Sequence, residues 1–479
     1  MISLYATEFD PSPFSRDNFF EVDKTAPDGT KYTVNNSTAS FSLDVKASDK
    51  HCKKIFRDYS AVLEYCRSES LNIIPSTHLI QGKLKQFDDG LCAALETAIQ
   101  HGLPGDGRLG KQAALSKLLD ELIAIHREMP SDKQLPVESA IVDVATALRF
   151  GGVEPELDKP LTAQVDLMKD SFLQRPMQSR PIGFWTWSED LQNIFRQDRY
   201  LYQGISAEDD LPSCMVLAAT ISRTPELSEA FTRFRNFDAS LTNPQMSTLS
   251  FDKLAELLPH GKTIAEMLDS EIVEKTRAAI EKHYGKDRTL ALISYSESKE
   301  YDTLEELFGS GLIEPGPEGT MQAIIDAIKS GRLSLEPKPD SGWYDYQWYA
   351  LETLLLSDKA RESVKLTLSD AYKARLENCF KTSLTKHRET HIKHVPQILM
   401  GCMSEPDTPP PEVRIGPEFS AEPTATVYLR YARAYRFLSN AMPGILGDDF
   451  LSSIHRSKEG LPSVEETLDS ELRRMTLLC

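Results

Sequence analysis

The chain has 479 residues, of which 40% are hydrophobic and 26% charged, and its 54 basic and 72 acidic residues give a net charge of −18. This composition is typical of a globular protein with about three domains or one large helical body, and the acidic balance argues against nucleic acid or an anionic membrane as the main partner. No secretory signal and no apolar run long enough to cross a bilayer is readable, and the seven cysteines have no paired spacing. We therefore expect a cytoplasmic protein with reduced thiols.

The first 50 residues carry the only convincing strand pattern. Hydrophobic and polar residues alternate at 32–34 and again at 41–45, on either side of a turn signal at 35–37, which predicts a small β-hairpin. From about residue 51 onward helical periodicity dominates, and proline- and glycine-rich breaks divide the chain. We predict a mainly α protein, a large helical body with a small N-terminal hairpin, divided into an extension at 1–50, a helical region at 51–335 and a second helical region at 336–479.

Three of the ten histidines, His387, His391 and His394, lie within eight residues of one another. At 100° per residue they fall within an arc of about 60° on a helix, in line with an apolar stripe that includes Phe380 and Leu384. Imidazoles at positions where leucine is expected favour metal coordination. A structural role and a metal-free acid–base or anion site are the alternatives.

The predicted histidine helix has clear ends. Ser369 or Asp370 is the expected N-cap, and Pro396 forbids continuation, so the helix should end near residue 395. The first and third histidines are separated by ~10.5 Å of helix rise, which is long for one metal to span. We expect two of the three to bind the metal, and the third to support those ligands from behind, to bind a second metal or to act as an acid–base group.

A second candidate element is rich in aromatic residues and carries Trp343 and Trp348. Asp345, Tyr349 and Glu352 recur at i, i+4 and i+7, so on a helix they share one face. A carboxylate face opposite a histidine face is how metal sites are assembled inside helical bodies. Asp345 and Glu352 are the predicted oxygen ligands and Tyr349 is the predicted catalytic residue. The tryptophans are predicted to wall a substrate pocket, unless they are simply large core residues.

Arginines and tyrosines alternate in the last helical block. Tyr431 and Tyr435 lie close to one face, while Arg430 and Arg433 belong to a fan of guanidinium groups. Because a guanidinium suits a carboxylate or phosphate, Arg430 and Arg433 are candidate substrate-binding residues. Internal salt bridges are the alternative in so acidic a protein.

The segment Gly105–Lys111 resembles a phosphate-binding loop in its glycine spacing, since it fits both GxGxxG and GxxxxGK. Position 112 is Gln112 rather than the serine or threonine that holds Mg²⁺, and the residues before the loop read as helix instead of strand. We therefore predict a connection between helices that does not bind nucleotide.

Imidazole and carboxylate ligands without a thiolate suit Fe(II), with Zn²⁺ and copper as further possibilities. These observations predict a metal-dependent enzyme, a non-haem iron oxygenase or oxidase acting on a small organic substrate. A zinc-dependent hydrolase with metal-activated water is one alternative, and a non-enzymatic helical interaction module is the other.

Overall fold

The structure is a computed structural model, and it describes four N-terminal strand segments and most of the helical part of the chain. The described residues are 21–25, 31–35, 41–47, 50–56, 77–103, 105–206, 210–242, 249–284, 289–293, 316–356, 369–391, 393, 424–448, 450–453 and 468–479, with the single positions 64, 68 and 303. Helices dominate these residues, which confirms the prediction of a mainly α fold. None of the described helices is long and apolar enough to cross a membrane.

The helices are numbered here in chain order. They are α1 (Thr77–His101), α2 (Lys111–Glu128), α3 (Gln134–Phe150), α4 (Lys159–Leu173), α5 (Pro176–Ser179), α6 (Glu189–Leu201), α7 (Leu211–Arg223), α8 (Pro225–Leu241), α9 (Phe251–Leu257), α10 (Ile264–Met267), α11 (Ser270–Tyr284), α12 (Gly316–Lys329), α13 (Trp343–Leu355), α14 (Asp370–Thr390), α15 (Ala425–Leu446), α16 (Phe450–Ser453) and α17 (Leu468–Leu478). Short 3-10 turns lie at Ser131–Lys133 and Gly183–Thr186.

The strands make up three antiparallel pairs within the described residues. The first four are β1 (Glu21–Thr25), β2 (Lys31–Asn35), β3 (Phe41–Ala47) and β4 (Lys50–Phe56), and β1 pairs with β2 while β3 pairs with β4. Two-residue strands β5 (Ile205–Ser206) and β6 (Thr289–Leu290) form the third pair. The residues that join β2 to β3 lie outside the described part, and the predicted hairpin across that turn stays a prediction.

Side-chain caps begin several helices where the sequence places a hydroxyl or a carboxylate. Asp158 and Ser188 each accept a hydrogen bond from the backbone N–H three residues further on, which satisfies a donor that the first turn leaves unpaired. Ser369 does the same for α14 by accepting from the N–H of Tyr372. This confirms the predicted N-cap of the histidine helix, at the first of its two alternatives.

The end of the histidine helix differs from the prediction. Helix α14 stops at Thr390, with His391 as its C-cap, whereas the prediction ran to about residue 395. Pro396 sets only the latest position at which the helix could end. Beyond the actual end, Lys393 directs its ammonium group to the buried carboxylates of Glu96 and Asp198. His394 lies outside the described residues.

One hydrophobic core runs through both predicted helical regions. Leu84 of α1, Trp343 of α13, Leu384 of α14 and Leu438 of α15 are at most 1% exposed and belong to the same packed cluster. Helix α14 packs against α1 and α13, and α13 packs against α15. These four helices enclose His387 and His391.

Candidate functional site

The space between α1, α13, α14 and α15 holds polar side chains where a helical protein normally has apolar ones. Six residues, each at most 1% exposed, form a connected group that we call the buried polar centre: Asp88, Gln347, His387, His391, Tyr431 and Tyr435. Burying so many polar groups is unfavourable unless each finds a partner, so their contacts decide what the centre is for.

Contacts of the buried polar centre converge on Asp88. One carboxylate oxygen accepts a hydrogen bond of 2.7 Å from the Tyr435 hydroxyl, and the other accepts one of 2.9 Å from Gln347 Nε2. His387 Nδ1 lies 3.7 Å from the second oxygen. This separation is longer than a hydrogen bond, so the carboxyl and the imidazole face each other without being bonded.

The hydrogen bonds of His387 determine which ring nitrogen carries the proton. Its Nε2 lies 2.7 Å from the Tyr431 hydroxyl oxygen, and that hydroxyl donates to Gln81 Oε1 at 2.9 Å. Because the hydroxyl proton is used on Gln81, the His387 ring donates from Nε2 and Nδ1 keeps its lone pair. Nδ1 is buried and has no hydrogen-bond partner within the described residues. A proton acceptor therefore faces the carboxyl of Asp88.

His391 is joined to Asp88 through Gln347. Its Nε2 donates to Gln347 Oε1 at 2.8 Å, and the Gln347 amide donates in turn to Asp88. The ring is enclosed by Trp343, at a centroid distance of 5.4 Å, and by Tyr344, at 4.6 Å. The second histidine is thus held by one amide and two aromatic rings.

Burial shifts the pKa values of Asp88 and His387 in opposite directions. Removal from water, with the positive charge of Lys85 as a smaller cause, lowers the pKa of His387 to about 3. Removal from water raises the pKa of Asp88 well above its usual value, against the opposing effect of its hydrogen bond from Tyr435. The ordinary order of the two pKa values is therefore inverted, and a proton shared between them belongs on the carboxyl.

A second group of buried charges is centred on Lys393, two residues after His391. Lys393 Nζ donates to Glu96 and to Asp198, both at 2.6 Å, and Lys111 Nζ donates to Asp198 at 2.6 Å. All four residues are at most 1% exposed. The chain just after α14 is therefore anchored to α1 and α6 by Lys393.

Sequence reasoning missed Asp88, although a signal for it was present. Asp88 lies in register with Leu84, Leu91 and Leu95 on the buried face of α1, at helical spacings of three, four and seven residues. A carboxylate on an apolar stripe is the same kind of anomaly that singled out the histidines. Tyr431 and Tyr435 share a face as the sequence predicts, and that face lines the buried polar centre.

The two predicted carboxylate ligands have partners of their own. Asp345 accepts from the Ser341 hydroxyl at 2.8 Å. Glu352 accepts from the backbone N–H of Leu335 at 3.1 Å and from Arg430 at 2.8 Å. The hydrogen bond from His391 to α13 is accepted by Gln347.

No group of three or more histidine, cysteine, aspartate or glutamate side chains within the described residues is arranged to hold a metal ion. Asp88 and His387 supply one oxygen and one nitrogen 3.7 Å apart, and the Nε2 atoms of both histidines are engaged by Tyr431 and Gln347. This donor set does not make up a metal site by itself. With His394 outside the described residues, the Fe(II), Zn²⁺ or copper site stays a prediction.

The candidate substrate-binding arginines face other parts of α13. The Arg430 guanidinium lies 3.5 Å from the centroid of the Tyr349 ring and forms an ion pair with Glu352. Arg433 lies 5.5 Å from the centroid of the Tyr346 ring. Arg430 therefore forms an internal salt bridge of the kind that the sequence leaves open as the alternative.

The two tryptophans of α13 are packed into the core. Trp343 and Trp348 are at most 1% exposed, and Trp343 contacts the His391 ring edge to face. Of the two, Trp343 thus lies against the buried polar centre. The indole N–H of each has no hydrogen-bond partner within the described residues.

The glycine-rich segment at 105–111 connects two helices. It follows α1, and α2 begins at Lys111, whose ammonium group points into the core toward Asp198. Gly105 and Gly107 have positive φ angles of 80° and 73°, which glycine adopts without strain. The helix before the loop and the buried lysine are both unlike a phosphate-binding loop.

The chain matches no protein-family model, no curated protein and no solved structure.

Proposed function

We propose that the protein is an enzyme that acts on a small organic substrate by general acid–base catalysis at the buried polar centre. The observation that carries this proposal is the facing pair of Asp88 and His387, whose pKa values are moved in opposite directions. Titratable groups whose environments push their pKa values apart are characteristic of catalytic acid and base pairs.

The pair has the protonation states that proton transfer requires. Asp88 is the proton donor because burial favours its neutral form, and His387 Nδ1 is the acceptor because Nε2 holds the ring proton against Tyr431. Gln347 and Tyr435 hold the carboxyl in place, and His391 holds Gln347. These three are positioning residues in the proposal.

A purely structural role accounts less well for the same contacts. Well-packed apolar residues of similar volume are often as stable as buried ionic groups or more so, so such groups need a reason beyond stability. The charges at Lys111, Lys393, Glu96 and Asp198 are fully paired, as a structural set should be. His387 Nδ1 is instead left without a hydrogen bond within the described residues.

The iron-dependent oxygenase remains a prediction, and it would use residues of the same buried polar centre. If a metal binds here, His387 and Asp88 are the residues that would contribute to it, and further donors would have to come from elsewhere in the chain. Metal analysis of protein purified without an affinity tag tests this directly. Iron or zinc near one equivalent, lost in a His387→Ala/His391→Ala double variant that still folds, would support the metal-dependent class.

The acid–base proposal is tested by incubating the full-length protein with a mixture of small organic metabolites and following each compound by mass spectrometry. We expect at least one compound to be consumed, and its rate to fall about 100-fold or more in Asp88→Asn and in His387→Gln, as for loss of a general acid or base. His101→Gln is the matched control, because His101 is partly exposed at the C-terminal end of α1 and is paired there with Asp190 of α6.

Parallel samples stripped of metal, and reloaded with Fe(II) or Zn²⁺, separate the classes. Turnover that survives stripping supports metal-free chemistry, and turnover that needs Fe(II) or Zn²⁺ supports the oxygenase or the hydrolase. Turnover unchanged in both variants contradicts the assignment of Asp88 and His387. No turnover under any of these conditions favours the interaction module.

A further inference from the structure

A separate cleft lies on another part of the molecule, where the loop between α1 and α2 meets α7, α8 and α15. Its volume is about 610 Å³, and its charged lining residues are Arg108, Arg233 and Glu229. Arg108 forms an ion pair with Asp106 beside the cleft, so these two guanidinium groups and two carboxylates carry no net charge together. What distinguishes the cleft is that its lining holds two guanidinium groups, whose forked N–H donors suit the oxygens of an anion.

Arg108 is held in position by its neighbours. Its Nε donates to both oxygens of Asp106, at 2.8 and 2.9 Å. Its Nη2 lies against Gly447, where a side-chain Cβ would come within 2.1 Å of it. Gly447 has a φ of +110°, so a residue other than glycine would be strained there as well as obstructive. The backbone at the edge of the cleft is thus shaped around this arginine.

Arg233 has an unused donor. One Nη atom donates to the backbone carbonyl of Leu109, but its Nε is buried and has no hydrogen-bond partner within the described residues. Burial, and then the positive charge of Arg108, lower the pKa of Arg233. The carboxylates of Asp106 and Glu229 act on this pKa in the opposite direction, and the unused Nε donor of Arg233 remains for an oxygen of an anionic ligand.

The rest of the lining suits a polar ligand with hydroxyl groups. Three polar residues of α8 line the cleft at spacings of four residues, so they share the face of that helix that borders it. They are Ser228, Thr232 and Asn236. Their hydroxyl and amide groups donate and accept hydrogen bonds, and Glu229 accepts them from ligand hydroxyls. The volume is within the range of ordinary small-molecule sites.

We propose that this cleft binds a phosphorylated polar small molecule of the sugar-phosphate class, with the phosphate on Arg108 and Arg233 and the sugar hydroxyls on Ser228, Thr232, Asn236 and Glu229. The three oxygens of a phosphate monoester accept hydrogen bonds from guanidinium N–H groups, among them the unused Nε donor of Arg233, more fully than the two oxygens of a carboxylate do. The site is separate from the buried polar centre, and it uses Arg108 of the loop between α1 and α2 rather than Lys111, whose ammonium group points into the core.

Isothermal titration calorimetry of the full chain with ribose 5-phosphate tests the proposal, with ribose and citrate as comparison ligands. We expect ribose 5-phosphate to bind with a Kd below about 1 mM at low ionic strength, and Arg233→Gln to weaken it about tenfold or more. Lys275→Gln is the matched control, since it removes the same charge from an exposed side chain of α11 that does not line the cleft. The Kd of the Lys275→Gln variant for ribose 5-phosphate should equal that of the wild type.

Arg108→Gln is the second variant, and it keeps the test decisive if Arg233→Gln fails to fold, because Arg108 is at the partly exposed rim. The proposal is overturned if ribose 5-phosphate does not bind at about 10 mM, a concentration that reveals even weak sites. Unchanged affinity in the arginine variants also overturns it. Equal binding of ribose or of citrate refutes the assignment of a phosphate ester.

Discussion

Acid should destabilise this protein through His387 in particular. The folded state holds the ring neutral, with a pKa of about 3, because it is buried and lies near Lys85. In the unfolded chain a histidine has a pKa of about 6.5. As the pH falls, the unfolded chain therefore binds the proton first, and the stability that His387 contributes is lost between these two values.

The expected size of this effect follows from the two pKa values. A difference of about 3.5 units corresponds to roughly 5 kcal/mol over the whole range, and about 2 kcal/mol of it falls between about pH 7 and about pH 5. Asp88 acts in the opposite direction, since its raised pKa means that the folded state takes up a proton more readily than the unfolded chain. The contribution of His387 must therefore be isolated by substitution.

The assay is urea unfolding of the wild type and of His387→Gln at a series of pH values. We expect the free energy of unfolding of the wild type to fall by about 2 kcal/mol more than that of the variant between about pH 7 and about pH 5. The same comparison in an Asp88→Asn background removes the coupling between the two groups.

His101→Gln is a control of opposite sign. The Asp190 carboxylate raises the pKa of His101, so this histidine stabilises the folded state at low pH and the contribution is lost as the pH rises. Its removal should make acid more destabilising. Parallel curves for the wild type and His387→Gln would show that the ring is not held neutral by burial, and the proposed acid–base pair would lose its base.

Three further outcomes are expected. Asp198→Asn should destabilise the fold by about 3–5 kcal/mol in thermal or urea unfolding, because it takes the carboxylate partner from the buried Lys111 and one of two close carboxylate partners from Lys393. A loss below about 1 kcal/mol would contradict the pairing described here. Gly183→Ala should lower the melting temperature more than Gly105→Ala, since both have positive φ but only at Gly183 would the new Cβ meet another side chain, Glu389, at 2.9 Å. ATP should show no binding in calorimetry that depends on Lys111, and micromolar binding that disappears in Lys111→Ala would overturn this.

The sequence predicts the histidine helix well at one end and less well at the other. Its N-cap at Ser369 is a local matter of one hydroxyl and one backbone N–H, so it can be predicted from neighbouring residues. Its end at Thr390 is not revealed by the local pattern, because Pro396 sets only the latest position at which the helix could end.

The burial of the histidine side chains could also be predicted from local spacing. His387 and His391 are inside the molecule, as their register with Phe380 and Leu384 predicts, because the direction of a side chain around a helix is set by its spacing alone. The sequence by itself therefore determined the mainly α fold, the first turn of α14 and the inward direction of its histidines.

Which groups meet those histidines was decided only by the tertiary structure. Gln347 is 259 positions from Asp88 along the chain, and Tyr435 is 347 positions away from it. Periodicity shows that Asp345 and Glu352 share a face of α13, but it does not show what that face packs against. The rotation of each helix is set by the packing of the whole core around it. Asp88 became the centre of the site for that reason, since only the assembled core brings α1, α13, α14 and α15 to one point.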